Sequence, residues 1–385
     1  MKLRTLDGVD VAGKIVLLRL DLNLPMKDGV ILDQTRLKLS LKTLQELHSK
    51  GAKVVIMSHL GRPKGREDPV LSLEPIAQAL ETNLQEPIIF QKEWNHRPHA
   101  SITLLDNIRF HRGEEENDML FAAEIAKLGD LYVNDAFSVS HRAHASVEAI
   151  THILPSYAGR LMEDEISALT KILDHPEHPV TAIVAGSKIS TKLTVLENLL
   201  DRIDTLIVGG GIANTFLKAM GLPIGASIFE RDMLDETHSI LEKAKTLNKT
   251  IFVPRDANLD PGSRIAEISA IESSEKIFDM GPESVVDIRK ILEASKTVIW
   301  NGPVGVFEIP PYDESSLEIA RIIAVLTQKG ALYSVAGGGE TIACLNKAGV
   351  MDKFSHVSTA GGAFLEWLEG KKLPGVERLS TDVSR

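Results

Sequence analysis

The feature that most constrains the fold of this chain is an alternation of short apolar runs with segments of helical period. The runs are rich in β-branched residues and are followed by turn residues, which is typical of buried strands. Between the first two runs, a helix over 37–50 places four leucines on one face and ends at Gly51. Such alternation predicts an α/β fold in which parallel sheets are covered by helices.

The predicted strands form two sets on either side of a break. The first set comprises 14–20, 52–57, 102–105 and 131–133, with a helix at 118–128. The second set comprises 181–185, 205–208, 251–253, 297–299, 332–335 and 354–357. In the break, a helix over 161–173 is followed by Pro176 and Pro179, which cannot continue it. A chain of 385 residues is long for one core, so we expect two domains with a binding cleft between them.

Composition excludes several classes of protein. The formal net charge of −10 argues against a general nucleic-acid binder, which needs a basic surface. Cys344 is the single cysteine, so no internal disulfide can form, and we expect it to pack in the core of a protein from a reducing compartment. Residues 1–10 lack the apolar core of a signal peptide, and no apolar run approaches the roughly 18 residues that span a bilayer. These features predict a cytoplasmic protein without membrane or nucleic-acid partners.

Basic residues in the first half recur in loops that follow predicted strands. If these loops share one sheet edge, five arginines and a histidine converge on a site for a small, multiply charged anion. The residues are Arg19, Arg36, His59, Arg62, Arg109 and Arg142. Arg19 is the weakest member, because it lies within a strand and can pair with Asp21 or another buried carboxylate. The alternative for any one of these arginines is a solvated or ion-paired surface residue.

Glycine turns in the second half predict phosphate binding. A glycine triplet that opens a helix leaves backbone N–H groups bare at the positive end of the helix dipole. Such turns occur at 209–211 and 337–339, and Asn301 and Gly302 begin another loop after a strand. Lys188 and Lys192 are four residues apart, which places both on one face of the first turns of a helix; the alternative is that they only add solubility.

Three nucleotide-binding signatures are missing from the sequence. It contains no G-x-x-x-x-G-K-[ST] phosphate loop, and Asn214 stands where a dinucleotide fingerprint needs a third small residue. The His-Arg-Asp triplet of protein kinases is missing as well.

Eight separate strings indicate a resemblance to one known family. They are RLDLNLP at 19–25, SHLGRP at 58–63, VNDAF at 133–137, HRAHAS at 141–146, STKLTVL at 190–196, VGGGIANTF at 208–216, WNGPVGVFE at 300–308 and LEGKKLPGVE at 368–377. The chain resembles the phosphoglycerate kinases from end to end. The resemblance implies a two-domain α/β monomer that transfers a phosphoryl group between 1,3-bisphosphoglycerate and Mg-ADP, giving 3-phosphoglycerate and Mg-ATP.

The resemblance also implies the domain boundaries and the ligand that each domain binds. Two Rossmann-like domains, each a mostly parallel sheet flanked by helices, are expected at 1–165 and 180–370, with an interdomain helix and linker at 166–179. The tail 371–385 is expected to complete the first domain. The first domain would bind 3-phosphoglycerate and the second Mg-nucleotide, with a hinge around 161–173.

Site residues follow from the same resemblance. The glycerate site would comprise Asp21, Leu22, Asn23, Arg36, His59, Leu60, Gly61, Arg62, Arg109 and Arg142. Within it, Arg36 would meet the moving phosphoryl group, and Arg62, Arg109 and Arg142 the stationary 3-phosphate. The nucleotide site would comprise Lys188, Lys192, Gly209, Gly210, Asn301, Glu308, Gly338, Gly339, Glu340 and Thr341, with Glu308 on the ribose. Glu340 would lie on the magnesium side.

Catalysis would need no proton acceptor, because the phosphoryl acceptor is a carboxylate that is already ionised at neutral pH. The work reduces to alignment and charge neutralisation, with the two domains closing to expel water. Arg36, Lys192, magnesium and the N–H groups near Gly338 and Gly362 would stabilise the transferring group.

Three positions depart from the family pattern. Glu340 replaces the usual aspartate, Ala360 replaces a glycine, and Ser138 follows Phe137 where glycine is usual. The last two are harmless if φ is negative and costly if φ is positive.

Two other functions remain open at this stage. A nicotinamide-dependent dehydrogenase would share the two-domain α/β architecture, but it needs the dinucleotide fingerprint that this chain lacks. A non-catalytic, two-lobed anion-binding protein would share the arginines, yet it has no use for a separate nucleotide loop.

Overall fold

The computed structural model describes residues 1–94 and 96–381, and it contains parallel sheets flanked by helices. The strands are β1 Ile15–Arg19, β2 Met26–Lys27, β3 Val30–Ile31, β4 Lys53–Met57, β5 Ile89–Gln91, β6 Ile102–Leu105, β7 Leu131–Asn134, β8 Ser156–Ala158, β9 Val180–Ala185, β10 Thr205–Gly209, β11 Thr250–Phe252, β12 Asp256–Asp260, β13 Arg264–Glu267, β14 Lys276–Met280, β15 Thr297–Asn301, β16 Tyr333–Gly337 and β17 His356–Ser358. The helices are α1 Thr35–Ser49, α2 Glu74–Leu84, α3 Arg112–Glu115, α4 Met119–Ala126, α5 Arg160–Leu173, α6 Leu193–Leu200, α7 Gly210–Ala219, α8 Leu234–Thr246, α9 Pro282–Ala294, α10 Glu314–Gln328, α11 Gly339–Ala348, α12 Gly362–Leu368 and α13 Pro374–Glu377.

The chain divides into two compact units. The first comprises Met1–Ser167 and the segment from Lys372 onward, and the second comprises Ala168–Lys371. In the first unit, the backbone N–H of Gly375 donates to Ser140 at 2.9 Å, and the N–H of Arg4 donates to Leu379 at 2.8 Å. The end of the predicted tail, 382–385, lies outside the described residues.

The first unit is built on a six-stranded sheet of order β5-β6-β4-β1-β7-β8. Every pair in it is parallel, so the carboxyl ends of the strands meet at one edge. Helix α1 buries Leu37, Leu44 and Leu47 in the core that covers one face of this sheet. All four strands predicted for the first half are present, and β5 and β8 extend the sheet at its two edges.

The second unit is built on a parallel sheet of order β11-β10-β9-β15-β16-β17. All six strands predicted for the second half are present with small shifts at their ends. The fold class is therefore confirmed as α/β, with two parallel-sheet domains flanked by helices. No helix among residues 1–94 and 96–381 combines the length and apolar character needed to cross a membrane.

A second, antiparallel sheet of order β13-β12-β14 was missed by the sequence prediction. Strand β12 reads Asp-Ala-Asn-Leu-Asp, which lacks the β-branched residues that mark a strand. Its Ala257 and Leu259 are nevertheless buried, in a small core beneath α7. Packing against neighbours thus outweighs the local preference of the segment.

Candidate functional site

The residues of the predicted anion site lie at the carboxyl edge of the first sheet. Residues 20–23 follow β1, 58–62 follow β4, 106–109 follow β6 and 135–142 follow β7. Open parallel sheets bind ligands at this edge. The strand-end recurrence that the sequence showed therefore corresponds to a real grouping in space.

Asp21 and Arg36 form the centre of this group. The Nη1 atom of Arg36 lies 3.1 Å from Oδ2 of Asp21 and 3.3 Å from the carbonyl oxygen of Asn23. The other carboxylate oxygen of Asp21 accepts the backbone N–H of Asn23 at 3.1 Å. The ion pair is partly covered, since the Arg36 side chain is 35% exposed and that of Asp21 10%.

A chain of hydrogen bonds continues from Asn23 to Arg109. The side-chain oxygen of Asn23 accepts the N–H of Gly61 at 2.9 Å, and the carbonyl oxygen of Gly61 accepts Nη1 of Arg109 at 2.9 Å. Gly61 has φ +61°, and a Cβ there would lie 2.8 Å from the side chain of Leu71, so glycine is favoured at this position. Loops after three different strands are thereby held in fixed register.

Arg109 is almost completely buried, and its burial lowers the pKa to about 10. The neighbouring positive charge of Arg19 contributes to this lowered pKa, whereas the negative charge of Glu115 opposes it. Its Nε lies 3.5 Å from Glu115 but makes no hydrogen bond. A guanidinium at the carboxyl edge of the sheet is suited to bind an anion.

Arg19 points into the protein, and the structure places it against a buried carboxylate. Its Nη2 lies 4.0 Å from Oε1 of Glu114, and both side chains are 0% exposed. The suspected pairing of Arg19 with a buried carboxylate is thus present, and the partner is Glu114. Arg19 is therefore buried behind the site and is not one of its exposed arginines.

The remaining glycerate-site residues differ in how firmly they are held. Leu22 is fully buried and its N–H donates to Ser58, while Leu60 accepts the side-chain amide of Asn107 at 2.7 Å. Arg142 is half-buried and its Nε lies 3.2 Å from Nε2 of His141. Arg62 is exposed, and no contact recorded among the described residues links it to the hydrogen-bond chain.

The two small-residue departures are tolerated by the backbone. Ser138 and Ala360 are not among the described non-glycine residues with positive φ, so neither is strained. The hydroxyl of Ser138 donates a short hydrogen bond to Oδ2 of Asp21, the same oxygen that Arg36 contacts. The serine therefore adds a side chain to the anion site.

Glycine loops of the second unit pack closely at the carboxyl edge of its sheet. A Cβ on Gly302 would lie 2.0 Å from the carbonyl oxygen of Ala185, and one on Gly210 would lie 2.9 Å from that of Gly186. These loops follow β15, β9 and β10, which are neighbours in the sheet. Only residues without a side chain allow the backbones to approach this closely.

Lys192 lies at the centre of these loops. Its ammonium group donates to the carbonyl oxygen of Ala185 and, at 3.2 Å, to that of Asn301. Burial lowers its pKa to about 8, although the negative charge of Glu340 opposes this shift. A partly desolvated cation beside bare backbone groups is suited to bind phosphate.

The predicted placement of both lysines on the first turns of a helix is wrong. Helix α6 begins at Leu193, with Lys192 as its N-terminal cap residue, and Lys188 is exposed in the loop before it. The loop instead makes a separate turn, in which the carboxylate of Glu230 accepts the backbone N–H of Ser190 at 2.8 Å and its hydroxyl at 2.6 Å. The two lysines consequently lie in different environments.

Asn301 and Thr341 hold the glycine turn that opens α11. The side-chain amide of Asn301 donates to Gly337 at 2.8 Å, and the hydroxyl oxygen of Thr341 accepts the N–H of Gly302 at 2.8 Å. Gly338 has φ +101°, and a Cβ there would lie 2.8 Å from the Asn301 amide. The Oδ1 atom of Asn301 is buried and has no hydrogen-bond partner among the described residues.

The other predicted nucleotide residues lie at loop ends. Gly209 ends β10, and Gly339 and Glu340 form the exposed first turn of α11. Glu308 is exposed in the loop after β15, and Gly362 begins α12. Among residues 1–94 and 96–381, no three His, Cys, Asp or Glu side chains are grouped so as to hold a metal.

Several residues of both sites escaped the sequence analysis. Ser58, Asn107, Glu114 and Ser146 support the anion site, and Glu230 supports the loop that contains both lysines. The Asp106-Asn107 pair directly after β6 was a signal for a strand-end role. Glu114 and Glu230 gave no signal, because glutamates in charged stretches of sequence are usually solvated.

Comparison with known proteins gives the family. The sequence model of the family described as phosphoglycerate kinase matches residues 6–371. This chain belongs to the phosphoglycerate kinase family. It is 50% identical over 394 residues to the phosphoglycerate kinase of Rhodospirillum centenum, covering 98% of this chain and 100% of that protein. The enzyme of Zymomonas mobilis is 48% identical over 395 residues, with 98% and 100% covered.

Solved structures of phosphoglycerate kinases have the same fold. That of Coxiella burnetii superposes with a TM-score of 0.93 at 40% identity, and 98% of each chain is covered. That of Pyrococcus horikoshii OT3 superposes with a TM-score of 0.82 at 30% identity, again with 98% covered. Both likenesses extend over the whole architecture of the two units.

Membership of the phosphoglycerate kinase family establishes the reaction class. The protein is a phosphotransferase with a carboxyl group as acceptor, and it acts on phosphoglycerate in glycolysis. The family assignment excludes the dehydrogenase and the non-catalytic binding protein that the sequence left open.

Proposed function

We propose that the anion site of the first unit binds 3-phosphoglycerate or 1,3-bisphosphoglycerate and that the glycine loops of the second unit bind ADP or ATP. Transfer is direct and in line, without a phosphoryl-enzyme intermediate. The observation that carries this proposal is the hydrogen-bond chain that runs from Arg36 through Asp21, Asn23 and Gly61 to Arg109. The chain of hydrogen bonds places Arg36 and Arg109 at the edge of one sheet. A phosphorylated glycerate has an anionic group at each end, so it needs two such cationic groups.

In the glycerate site, Asp21 and Asn23 hydrogen-bond the hydroxyl group, and Arg36 meets the moving phosphoryl group. Arg62, Arg109 and Arg142 bind the stationary 3-phosphate. The exposed position of Arg62 suits a residue that contacts a bound phosphate. His59, Leu60 and Gly61 line the same loop after β4.

In the nucleotide site, Lys188 and Lys192 bind phosphate oxygens and Glu308 binds the ribose. The backbone N–H groups of the turn 338–341 face the β- and γ-phosphates at the positive end of α11. Gly209 and Gly210 allow the base to approach the end of β10. The half-buried ammonium of Lys192, which contacts the ends of β9 and β15, supports this assignment.

The residues present fit a magnesium ion that arrives with the nucleotide. Mg²⁺ is usually held by one or two carboxylates together with substrate phosphates and water. Glu340, in the first turn of α11 beside the glycine turn, supplies one such carboxylate. When bound, the ion neutralises charge on the phosphate oxygens.

Arg36, Lys192 and the N–H groups of Gly338 and Gly362 provide the catalytic charge stabilisation. Because the acceptor carboxylate is ionised at neutral pH, no side chain has to remove a proton. The protein's work is to orient the two substrates and to offset charge on the equatorial oxygens of the moving group. Exclusion of water by hinge bending around 161–173 completes the proposal.

A coupled assay of ATP-dependent phosphorylation of 3-phosphoglycerate tests the residue roles. Arg36→Ala should lower turnover by about 10² to 10³, the usual cost of removing one preorganised donor. Arg321→Ala is the control, because Arg321 is 53% exposed on α10 and only weakly paired. Equal turnover of wild type and Arg36→Ala would overturn the assignment of Arg36.

Binding measurements separate the two ligand sites. Calorimetric titration should show independent binding of 3-phosphoglycerate and ADP and no binding of NAD. We propose a monomer in the cytoplasm, and sedimentation measurements at several protein concentrations test its oligomeric state. Small-angle scattering with and without both substrates tests the hinge bending, because closure would reduce the radius of gyration.

A further inference from the structure

A buried carboxylate, Glu114, anchors a line of polar contacts behind the glycerate site. Its Oε2 accepts the backbone N–H of Ser146 at 2.9 Å, and its Oε1 accepts the Ser146 hydroxyl at 2.7 Å. Burial opposes ionisation of Glu114, but hydrogen bonds and the charges of His144 and Arg19 outweigh it and lower the pKa. Glu114 is therefore a fixed negative charge inside the protein.

Ser146 links Glu114 to Arg19 through its hydroxyl group. Since the hydroxyl proton of Ser146 goes to Glu114, its oxygen is left to accept, and Nε of Arg19 donates to it at 2.9 Å. The Nη1 atom of Arg19 donates to the carbonyl oxygen of Leu20. Two contacts on different edges hold the planar guanidinium in one orientation, so the direction of its third nitrogen is determined as well.

That third nitrogen meets His59. The Nη2 atom of Arg19 lies 3.2 Å from Nδ1 of the imidazole, and both residues are buried. A guanidinium nitrogen always bears hydrogen and can only donate. The Nδ1 atom must therefore accept, which requires a neutral ring with its proton on Nε2.

We propose that Arg19 is a positioning residue, which holds His59 as the Nε2–H tautomer so that His59 presents one directed N–H donor to the bound phosphoglycerate. This inference rests on the proposed function of the site. The Nε2 atom makes no hydrogen bond within residues 1–94 and 96–381, and it is not among their enclosed unpartnered atoms. It is accordingly open to a ligand.

The surrounding charges favour the same neutral state. Burial lowers the pKa of His59 well below its ordinary value, and the positive charges of Arg19, Arg109, His144 and Arg36 lower it further. These groups come from the ends of β1 and β6, from the start of α1 and from the loop after β7. A neutral donor of fixed direction binds the ligand in the same way across the physiological pH range.

The competing explanation is that Arg19 only neutralises Glu114 in the core. Both explanations predict that loss of Arg19 destabilises the fold, so stability alone does not separate them. They differ in what happens to the ring of His59. The tautomer of His59 and the affinity for 3-phosphoglycerate are the decisive readouts.

Long-range ¹H–¹⁵N spectra of histidine-labelled protein measure the tautomer directly. His59→Gln assigns the His59 signals, and the exposed ring of His175 provides the reference for a solvated histidine. We expect the Nε2–H form of His59, unchanged from about pH 5 to pH 8, where free histidine titrates. A proton on Nδ1, or titration of His59 within that range, would overturn the proposal.

Two substitutions of His59 test the direction of the donor. A glutamine amide can place an N–H where Nε2 lies, whereas the shorter asparagine places it nearer Nδ1. We expect His59→Gln to bind 3-phosphoglycerate within about threefold of wild type and His59→Asn to bind roughly 10-fold or more weakly, since hydrogen bonds to charged groups contribute about 1.5–3 kcal/mol. Equal affinities of the two variants would count against the directed donor.

Ser146→Ala tests the role of Arg19 without removing its charge. The substitution deletes the acceptor that orients Nε, so the proposal expects His59 to lose its single tautomer and 3-phosphoglycerate to bind several-fold more weakly. In the opposite outcome, Ser146→Ala unfolds at a lower temperature than wild type and yet keeps the tautomer of His59 and the affinity for 3-phosphoglycerate. That result would show that Arg19 only neutralises Glu114 in the core. Wild-type protein that fails to bind 3-phosphoglycerate would overturn the proposed function itself, whatever tautomer His59 adopts.

Discussion

The side-chain amide of Asn301 donates to the carbonyl oxygen of Gly337 at 2.8 Å, and this bond joins the ends of β15 and β16. It also directs the other side-chain atom of Asn301, Oδ1, to a buried position without a protein partner. The glycine turn that follows β16 must therefore leave room for the Asn301 amide. Gly338 meets this requirement, because it has no Cβ.

Gly338→Ala should disrupt this turn. The residue has φ +101°, a backbone conformation that costs L-residues roughly 1–3 kcal/mol, and the new Cβ would lie 2.8 Å from the Asn301 amide. We expect the free energy of unfolding in urea to fall by at least about 1 kcal/mol and ATP turnover to fall with it. Gly339→Ala is the matched control for stability, because its Cβ would meet nothing within 4 Å. Equal destabilisation by the two substitutions would contradict this explanation.

Lys192 should produce an alkaline limb in the pH profile. Burial lowers its pKa to about 8, so the ammonium is charged below that pH and progressively loses its charge above it. If the charge binds phosphate, kcat/KM for nucleotide should fall as the pH rises through about 8. Lys192→Arg keeps a permanent charge and should abolish this limb even at reduced activity. A limb that persists in Lys192→Arg would assign it to another group.

Ser138 should contribute to glycerate binding through Asp21. Its hydroxyl donates to the oxygen that also contacts Arg36, and the side chain is half-buried. Removing this donor in Ser138→Ala should raise KM for 3-phosphoglycerate about fivefold, the equivalent of roughly 1 kcal/mol, with little change in kcat. Ser138→Thr, which retains the hydroxyl, should restore KM. A KM that is unchanged in Ser138→Ala would show that Asp21 does not need this partner.

Glu340→Asp should leave the reaction intact and alter the magnesium requirement. The substitution shortens the carboxylate by one methylene in the exposed first turn of α11. We expect similar maximal turnover and a changed magnesium concentration at half-maximal rate in the coupled assay. Lost turnover together with an unchanged magnesium dependence would refute the metal-side role of Glu340.

Arg160 and Glu46 should make stability depend on pH in the acid range. Nε and Nη2 of Arg160 donate to the two Glu46 oxygens at 2.7 and 2.8 Å, and these bonds, with a smaller contribution from Lys50, lower the pKa of Glu46 to about 2. A lowered carboxyl pKa contributes stability above the unfolded value near 4.5, and this contribution is lost as the pH falls toward 2.

Urea unfolding of wild type and Glu46→Gln measures this contribution. The difference between the two should be constant near neutral pH, shrink below about pH 4.5 and disappear near pH 2. It should also diminish in about 1 M salt, where screening acts over roughly 3 Å. A difference that does not change from pH 7 to pH 2 would exclude the ion pair as its cause.

Much of the architecture could be predicted because apolar runs report burial directly. Ten strands of the two parallel sheets are where the sequence placed them, since strands buried on both faces are continuously apolar. The edge strands β5 and β8 escaped detection, because three residues give no periodicity. Strand β12 escaped because its polar residues conceal a buried Ala257 and Leu259.

The sequence by itself determined the alternation of strands and helices, the clustering of arginines and glycine turns at strand ends, and the family, because each depends on local residue order. Only the tertiary structure decided that Arg19 faces Glu114 and His59, that Lys192 is half-buried while Lys188 is exposed, and that Ser138 contacts Asp21. The contacts of Arg19 and Ser138 join residues 40 to 117 positions apart in the chain. The strength of these contacts depends on how deeply the side chains are buried and on the direction of their hydrogen bonds. Local sequence patterns contain neither kind of information.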